Sequence, residues 1–191
     1  MPSQPHALAV GDSVCLRFPV EADRDAYIAL RRDGREHLER WEPIPPPGFD
    51  PFGPDAFDRE IACHQLDEQE RWLIVRRDDG AIVGRLAITA IERGPFLNGR
   101  FGYWIGDGFT GRGYMTEAIR LGVRRAFTKM GLHRIEANIQ PHNAASRRAV
   151  AKAGFRLVGY SPNYLQIRGR WVDHEHWAIT KEMWEALPAP R

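Results

Sequence analysis

The 191-residue sequence predicts an α/β fold. The expected architecture is one domain on a mixed, mostly antiparallel sheet, with helices on both faces. Three observations carry this. The length suits one large domain better than two very small ones. The first half holds extended segments joined by tight turn signals, so its strands run antiparallel. The second half alternates strand, helix, strand, helix and strand, the order that sets neighbouring strands parallel.

Residues 1–12 are expected to be a flexible N-terminal tail, and 13–187 the single domain. "SVCLRFPV" (13–20) predicts a first strand and "EADRDAYIALRRD" (21–33) an amphipathic helix with acidic residues at its start. "WEPIPPPGFDPFGPD" (41–55) holds too much proline for helix, and its Trp41, Phe49 and Phe52 predict a loop that packs. A second helix is expected over about 55–69. "RWLIVRR" (71–77) and "AIVGRLAITAI" (81–91) form a hairpin about a "DDG" turn, and "RFGYWIG" (100–106) is a further strand. Apolar positions Met115, Ile119, Val123, Phe127 and Met130 predict a helix over 113–130, stopped before Gly131. "HRIEANIQ" (133–140) is a strand, 143–154 a short helix, and "FRLVGYSPNYLQI" with "RWVDHEHWAI" the closing hairpin.

Bulk properties bound the function. Lys plus Arg number 27 against 25 acidic residues, a net +2, which gives no whole-protein attraction to nucleic acid or membrane. Hydrophobic residues at 43% and a mean hydropathy of −0.46 are those of a soluble globule. Cys15 and Cys63 stand far apart without metal-like spacing, as reduced thiols of a cytoplasmic protein would. The first residues lack the pattern of a signal peptide, and no apolar run approaches the roughly 20 residues of a membrane span.

"GDGFTGRGYMTEA" (106–118) contains two glycine patterns. Gly106, Gly108 and Gly111 spell the dinucleotide fingerprint G-x-G-x-x-G, but that motif belongs in the first turn of a doubly wound sheet, and here it follows several antiparallel strands. A Walker loop is excluded because no Gly-Lys-Ser/Thr follows. Gly111-Arg112-Gly113 needs only local physics: a backbone free of side chains, opening a helix whose first turn offers unpaired N–H groups and partial positive charge. It is a seat for a pyrophosphate, or else a glycine-rich turn. Asn143 and Ser146 begin the next helix, after a strand parallel to the one before the loop. If the two strands separate, the slot between them has the loop on one side and Asn143/Ser146 on the other. The plain alternative is Asn143 as an N-cap and Ser146 as a first-turn residue.

With "RWEP" (40–43), "GRGYMTEA" (111–118), "HRIEANIQPHNAAS" (133–146), "GF" (154–155) and "IRGRWVDH" (167–174) in order, the chain resembles the GNAT superfamily of acyl-CoA-dependent N-acetyltransferases. Within it, the chain is similar to ribosomal-protein-alanine N-acetyltransferases of the RimJ/RimL type. The resemblance implies a V-shaped splay between two central parallel strands, acetyl-CoA as cosubstrate and no metal. It implies a coenzyme pyrophosphate on Thr110, Gly111, Arg112, Gly113, Tyr114 and Met115, and a pantetheine arm along Trp104 and Ile105. Asn143 would hold that arm, with Ser146 near the sulfur. Thr110 and Met115 depart from the superfamily pattern Gln/Arg-x-x-Gly-x-Gly/Ala. Many relatives use a tyrosine as general acid seven residues after the asparagine; Val150 stands there, which leaves the role to Ser146. The family's two glutamate base positions hold Arg100 and Asn138. Glu136, on the same strand face as Asn138, and Glu42, in the proline loop, are the remaining carboxylates that could relay a proton. Trp41, Glu42, Tyr103 and Tyr164 are the expected acceptor-binding residues.

Glu117 is read as a complement to the helix N-terminus. His174 and His176 share a strand face, the arrangement of two metal ligands, but no third ligand is evident. The implied function is acetyl transfer to a free amine, foremost the α-amino terminus of a ribosomal protein, by direct attack in a ternary complex. A small amine, a drug or polyamine, is the alternative acceptor, and an acyl-CoA sensor without turnover the alternative of another class. Monomer and homodimer both remain open.

Overall fold

The sequence's period-two and helical patterns become the elements of a computed structural model that describes residues 6–188. Strands β1 (Ala9–Val10) and β2 (Val14–Arg17) lead into helices α1 (Arg24–Asp33), α2 (Arg35–Glu39) and α3 (Pro54–Ala62). Strands β3 (Gln65–Leu66), β4 (Gln69–Arg76), β5 (Ile82–Glu92) and β6 (Asn98–Ile105) follow, then α4 (Tyr114–Thr128), β7 (Arg134–Ile139) and α5 (Ala144–Lys152). The long hairpin β8 (Arg156–Ile167) and β9 (Arg170–Thr180) and a short α6 (Lys181–Glu185) close the chain. The sheet order is β1-β2-β4-β5-β6-β7-β9-β8, with β3 also on β4. Among the described residues only β6 and β7 pair in parallel.

Alternation decides which face each strand gives to which helices. On β7, Ile135, Ala137 and Ile139 are buried in a core shared with Ile119, Val123 and Phe127 of α4 and Val150 of α5. Arg134, Glu136 and Asn138 therefore face the other side. There a second core joins Tyr27 and Ile28 of α1 to Phe57 of α3, Leu73 of β4 and Trp104 of β6. The proline loop packs as expected: Phe52 is buried in that second core, and Arg31 and Arg32 donate to the carbonyls of Pro51 and Phe52 at 2.6 and 2.9 Å.

The splay has a clear origin. β6 and β7 pair only at Asn98↔Arg134, Gly99↔Ile135 and Arg100↔Glu136. Beyond that, β6 stays with β5 as far as Gly84↔Ile105, and β7 stays with β9 as far as Ile139↔Glu175. Each central strand follows its outer partner, so the two diverge as the sheet twists.

Two boundaries differ from the sequence expectation. Within the span expected to be a flexible tail, Ala9–Val10 pair with Cys15 and Leu16 of β2, and Ala9 is buried; residues 1–5 lie outside the described residues. A two-residue strand is too short for any periodicity to mark. The helix expected over 55–69 ends at Ala62, and Gln65–Leu66 instead pair with Gln69–Glu70. The tight Asp67-Glu68 turn wins over helix propensity because it lets the chain join the edge of β4. Two helices, α2 and α6, lie outside the expected elements: Gly34 masks the first by interrupting the pattern, although Leu38 behind it is buried, and five residues of α6 are too few for a helical period to show.

Candidate active site

The slot between β6 and β7 is lined by main chain. Gly106 N–H donates to Val83 O at 2.9 Å, which sets the phase of the β5–β6 ladder. Residues 102, 104 and 106 bond toward β5, so Tyr103 and Ile105 turn their N–H and C=O groups into the slot. Trp104, also named from the sequence, presents its ring to the opposite face, 7% exposed, with the Arg31 guanidinium 5.1 Å from the ring centroid.

At the mouth, Asp107–Phe109 form one 3₁₀ turn, and Thr110 bonds back to Asp107 O through N and Oγ1 at 3.2 and 3.0 Å. Gly111 and Gly113 then adopt φ of +74° and +85°, the left-handed region that side-chain-bearing residues avoid. A Cβ at either glycine would meet nothing within 4 Å, so conformation and open approach, rather than packing, call for glycine. The first helical bond of α4 runs from Glu117 N to Gly113 O at 3.1 Å, leaving the N–H groups of Tyr114, Met115 and Thr116 without an intrahelical acceptor. With exposed Arg112 beside them, these donors suit a diphosphate. Tyr114 and Met115 both pack on the core. Glu117 turns away from this mouth: its carboxylate accepts from Ser13 N at 2.9 Å and ties the β1–β2 turn to α4.

Across the slot, Asn143 caps α5, its Oδ1 accepting from Ser146 N at 3.1 Å. The cap and the slot-lining positions coexist, because that bond leaves the amide Nδ2 hydrogens available. Ser146 Oγ lies 2.6 Å from the Tyr103 hydroxyl, which reaches it from β6. Burial pushes the Tyr103 phenol up to about 12, so it carries its proton at neutral pH.

Both carboxylates are held in ion pairs. Glu136 pairs with Arg134 at 2.9 Å and Arg100 at 3.7 Å. Glu42 accepts from Arg31 Nη1 and Nη2 at 3.2 and 2.8 Å, a bidentate pair. Trp41 stacks on His142 at 5.2 Å, and its carbonyl accepts from Gln140 at 3.4 Å, joining the proline loop to the strand end before Asn143. Beneath the loop lie two clefts of about 310 and 280 Å³, both bordered by Glu42 and Ile44; Arg168 of the β8–β9 turn closes the first.

Tyr164 joins a network invisible from the sequence. Asn138 Nδ2 donates to Tyr164 Oη at 2.9 Å, and Asn138 Oδ1 lies 2.7 Å from His176 Nδ1. His176 Nε2 lies 2.8 Å from Ser161 Oγ. His174 and His176 both pack against Tyr164, tilted at 5.3 Å and edge-on at 4.8 Å between ring centroids, and among the described residues no group of three metal-ligating side chains forms. Strand alternation puts Asn138 and His176 on one face, but their pairing across β7 and β9 needed the register.

A thin slot edged by main-chain groups, bare helix N–H groups at its mouth and a hydroxyl inside fit an acyl-CoA-dependent transferase. Comparison with known proteins agrees. The model of the acetyltransferase (GNAT) domain family matches residues 13–156, and the chain belongs to this family: it is an acetyl-CoA-dependent N-acetyltransferase. It is 32% identical over 173 residues to a probable N-acetyltransferase, YjcK, of Bacillus subtilis, covering 88% of this chain and 94% of that one. It is 30% identical over 168 residues to the [ribosomal protein uS5]-alanine N-acetyltransferase of Escherichia coli, covering 85% and 86%. Among solved structures, Mycobacterium smegmatis RimJ in complex with CoA-disulfide superposes with a TM-score of 0.83 at 32% identity, covering 92% of this chain and 85% of that one. Among the described residues no helix is long and apolar enough to cross a membrane.

Proposed function

We propose that this enzyme acetylates the N-terminal α-amino group of a protein, a ribosomal protein by likeness to the uS5-alanine acetyltransferase. The observation that carries this is the engagement of both slot-side carboxylates: Glu136 is held by two arginines and Glu42 by one. With both carboxylates occupied by arginines, an acceptor that arrives partly neutral fits the site best. An α-amino group, with a pKa of about 7.7–8.0, is about one-fifth neutral at pH 7.2, whereas a lysine near 10.4 is neutral in fewer than about one molecule in a thousand. That difference of over a hundredfold in reactive species favours a chain end.

The neutral amine attacks the thioester carbonyl carbon directly, and a backbone N–H of the slot receives the oxyanion. Collapse breaks the C–S bond, and Ser146 protonates the departing sulfur. No acyl-enzyme is needed, since Cys15 sits on β2 and Cys63 ends α3, away from the slot. Coenzyme A is held by the 110–115 loop, by the main chain of Tyr103 and Ile105, and by Asn143. The two small clefts under the proline loop, both bordered by Glu42, support a shallow acceptor site, which Trp41 and Tyr164 would flank.

The test is thiol release with acetyl-CoA and three acceptors: a peptide beginning with Ala or Ser, an N-blocked peptide carrying lysine, and spermidine. The peptide terminus should react fastest, with a low-substrate rate that rises from pH 6 to 8 and levels near the peptide's own amine pKa. A faster reaction with spermidine would make the acceptor a small polyamine. Acetyl-CoA binding without thiol release from any acceptor would make the protein a sensor.

A further inference from the structure

Val150 occupies the helix position from which a tyrosine would serve the leaving group, and it is wholly buried in the core. A phenol nevertheless arrives at the same place from another element. Tyr103, on β6, brings its hydroxyl to 2.6 Å from Ser146 Oγ. A serine hydroxyl has one proton to give and two lone pairs with which to accept. If Ser146 donated to Tyr103, its only proton would be spent on the phenol, and the phenol's own proton would need another acceptor. No acceptor but Ser146 lies within bonding distance of that phenol among the described residues. If Tyr103 donates, the phenol is satisfied and the serine proton is left free. The α5 backbone cannot shift to change this arrangement cheaply, because Ser146 N is held by the Asn143 cap.

We propose that Tyr103 is the positioning residue for the leaving-group step: its hydroxyl donates to Ser146 Oγ and thereby turns the single Ser146 proton into the slot, toward the thioester sulfur. The proposal rests on the transferase function and on Ser146 as the acid. Burial supports the direction of the bond, since it keeps the phenol protonated. A donated hydrogen bond also polarises the serine O–H, which makes it a better donor in turn. As the C–S bond breaks, its electron pair goes to sulfur, and sulfur takes the Ser146 proton. Ser146 regains a proton from water in the slot, and the attacking nitrogen releases one to water as the amide forms. Tyr103 keeps its own proton and stabilises the transient serine oxyanion.

The experiment compares wild type, Tyr103→Phe, Ser146→Ala and the double variant for kcat and for the Kd of acetyl-CoA. Ser146→Ala should lower kcat roughly 10²-fold, the scale of a lost general acid. Tyr103→Phe should lower it roughly 10-fold, and the double variant should match Ser146→Ala within about twofold, because the phenol acts only through the serine. Acetyl-CoA affinity should hold within about threefold throughout. A phenol that merely props up α5 would instead weaken binding, and its loss would multiply with that of the serine. Tetrafluorotyrosine at 103, which ionises within the assay range, adds a readout no structural role would move. Its kcat should fall as pH rises through the phenol's ionisation, whereas wild type stays level, because a phenolate accepts the proton it should be directing. A level profile, or Tyr103→Phe within twofold of wild-type kcat, overturns the proposal. Wild type that binds acetyl-CoA yet releases no thiol with any amine overturns the transferase function instead, and the proposal with it.

Discussion

At the scale of single residues, the site divides into positions that local rules expose and positions that only proximity reveals. Asn143 and Ser146 are legible because N-capping ties side-chain type to helix start, and the cap forms as that rule requires. Gly111 and Gly113 are legible because two glycines ahead of a helix leave its first N–H groups bare to a ligand. Tyr103 read from the sequence as an acceptor contact, because nothing links it to a serine 43 residues away. Gly113 supports a sharp expectation. Its φ of +85° makes any Cβ strained by about 1–2 kcal/mol, although the space is open. Gly113→Ala should therefore lower Tm by a few degrees and leave a folded protein. For wild type, acetyl-CoA at about 100 times its Kd adds about 2.7 kcal/mol, or roughly 5–10 °C in Tm. That shift should shrink markedly in Gly113→Ala, and NADH should give none in either protein. Thermal scans with the two ligands check this; a larger shift with NADH would make 106–111 a true dinucleotide motif.

At the scale of elements, long periodic segments were readable and short ones were not. α4 and β7 show their faces plainly, since seven residues of α4 are buried and β7 alternates without exception. The two-residue β1 and β3 escape any window, and the cross-strand contacts of β7 and β9 depend on a register no sequence pattern states. The β8–β9 hairpin carries a pH expectation through His174, which is 3% exposed on β9. Burial lowers its pKa below the usual histidine value, the imidazole being neutral in the fold. A group whose folded pKa is depressed binds protons more readily when unfolded. Its stabilisation is thus complete above the unfolded value, about 6.5, and is lost as pH falls below it toward the folded pKa. Wild-type Tm should fall between about pH 6.5 and 5 more steeply than that of His174→Gln. Parallel slopes for the two proteins would show that the hairpin does not titrate through this residue.

At the scale of the whole molecule, the hydrophobic layers followed from composition and alternation, but the polar hub under the acceptor side did not. Glu60, 4% exposed on α3, receives the Tyr27 hydroxyl of α1 at 3.0 Å and Arg71 Nη1 of β4 at 3.2 Å, with Arg85 Nε of β5 at 3.4 Å. Four elements from four stretches of sequence meet on one carboxylate, and no local pattern in "DREIA" announces it. The hub holds α1 and α3 against the sheet beneath the proline loop, so its integrity sets where Arg31 and Glu42 stand. Its members are not equivalent. Removing the carboxylate charge leaves two guanidiniums facing each other without a counter-ion, whereas removing one arginine leaves Glu60 still paired with Arg85 and Tyr27. Glu60→Gln should accordingly cost about 3–5 kcal/mol, as the breaking of a buried ion pair does, and Arg71→Met distinctly less. Because the pairs are buried, 0.5 M salt should close little of the gap. Urea unfolding of both variants, followed by tryptophan fluorescence at low and high salt, measures the difference. If Arg71→Met proved as costly as Glu60→Gln, the Glu60–Arg71 pair alone would carry the hub, and Arg85 would add nothing to it.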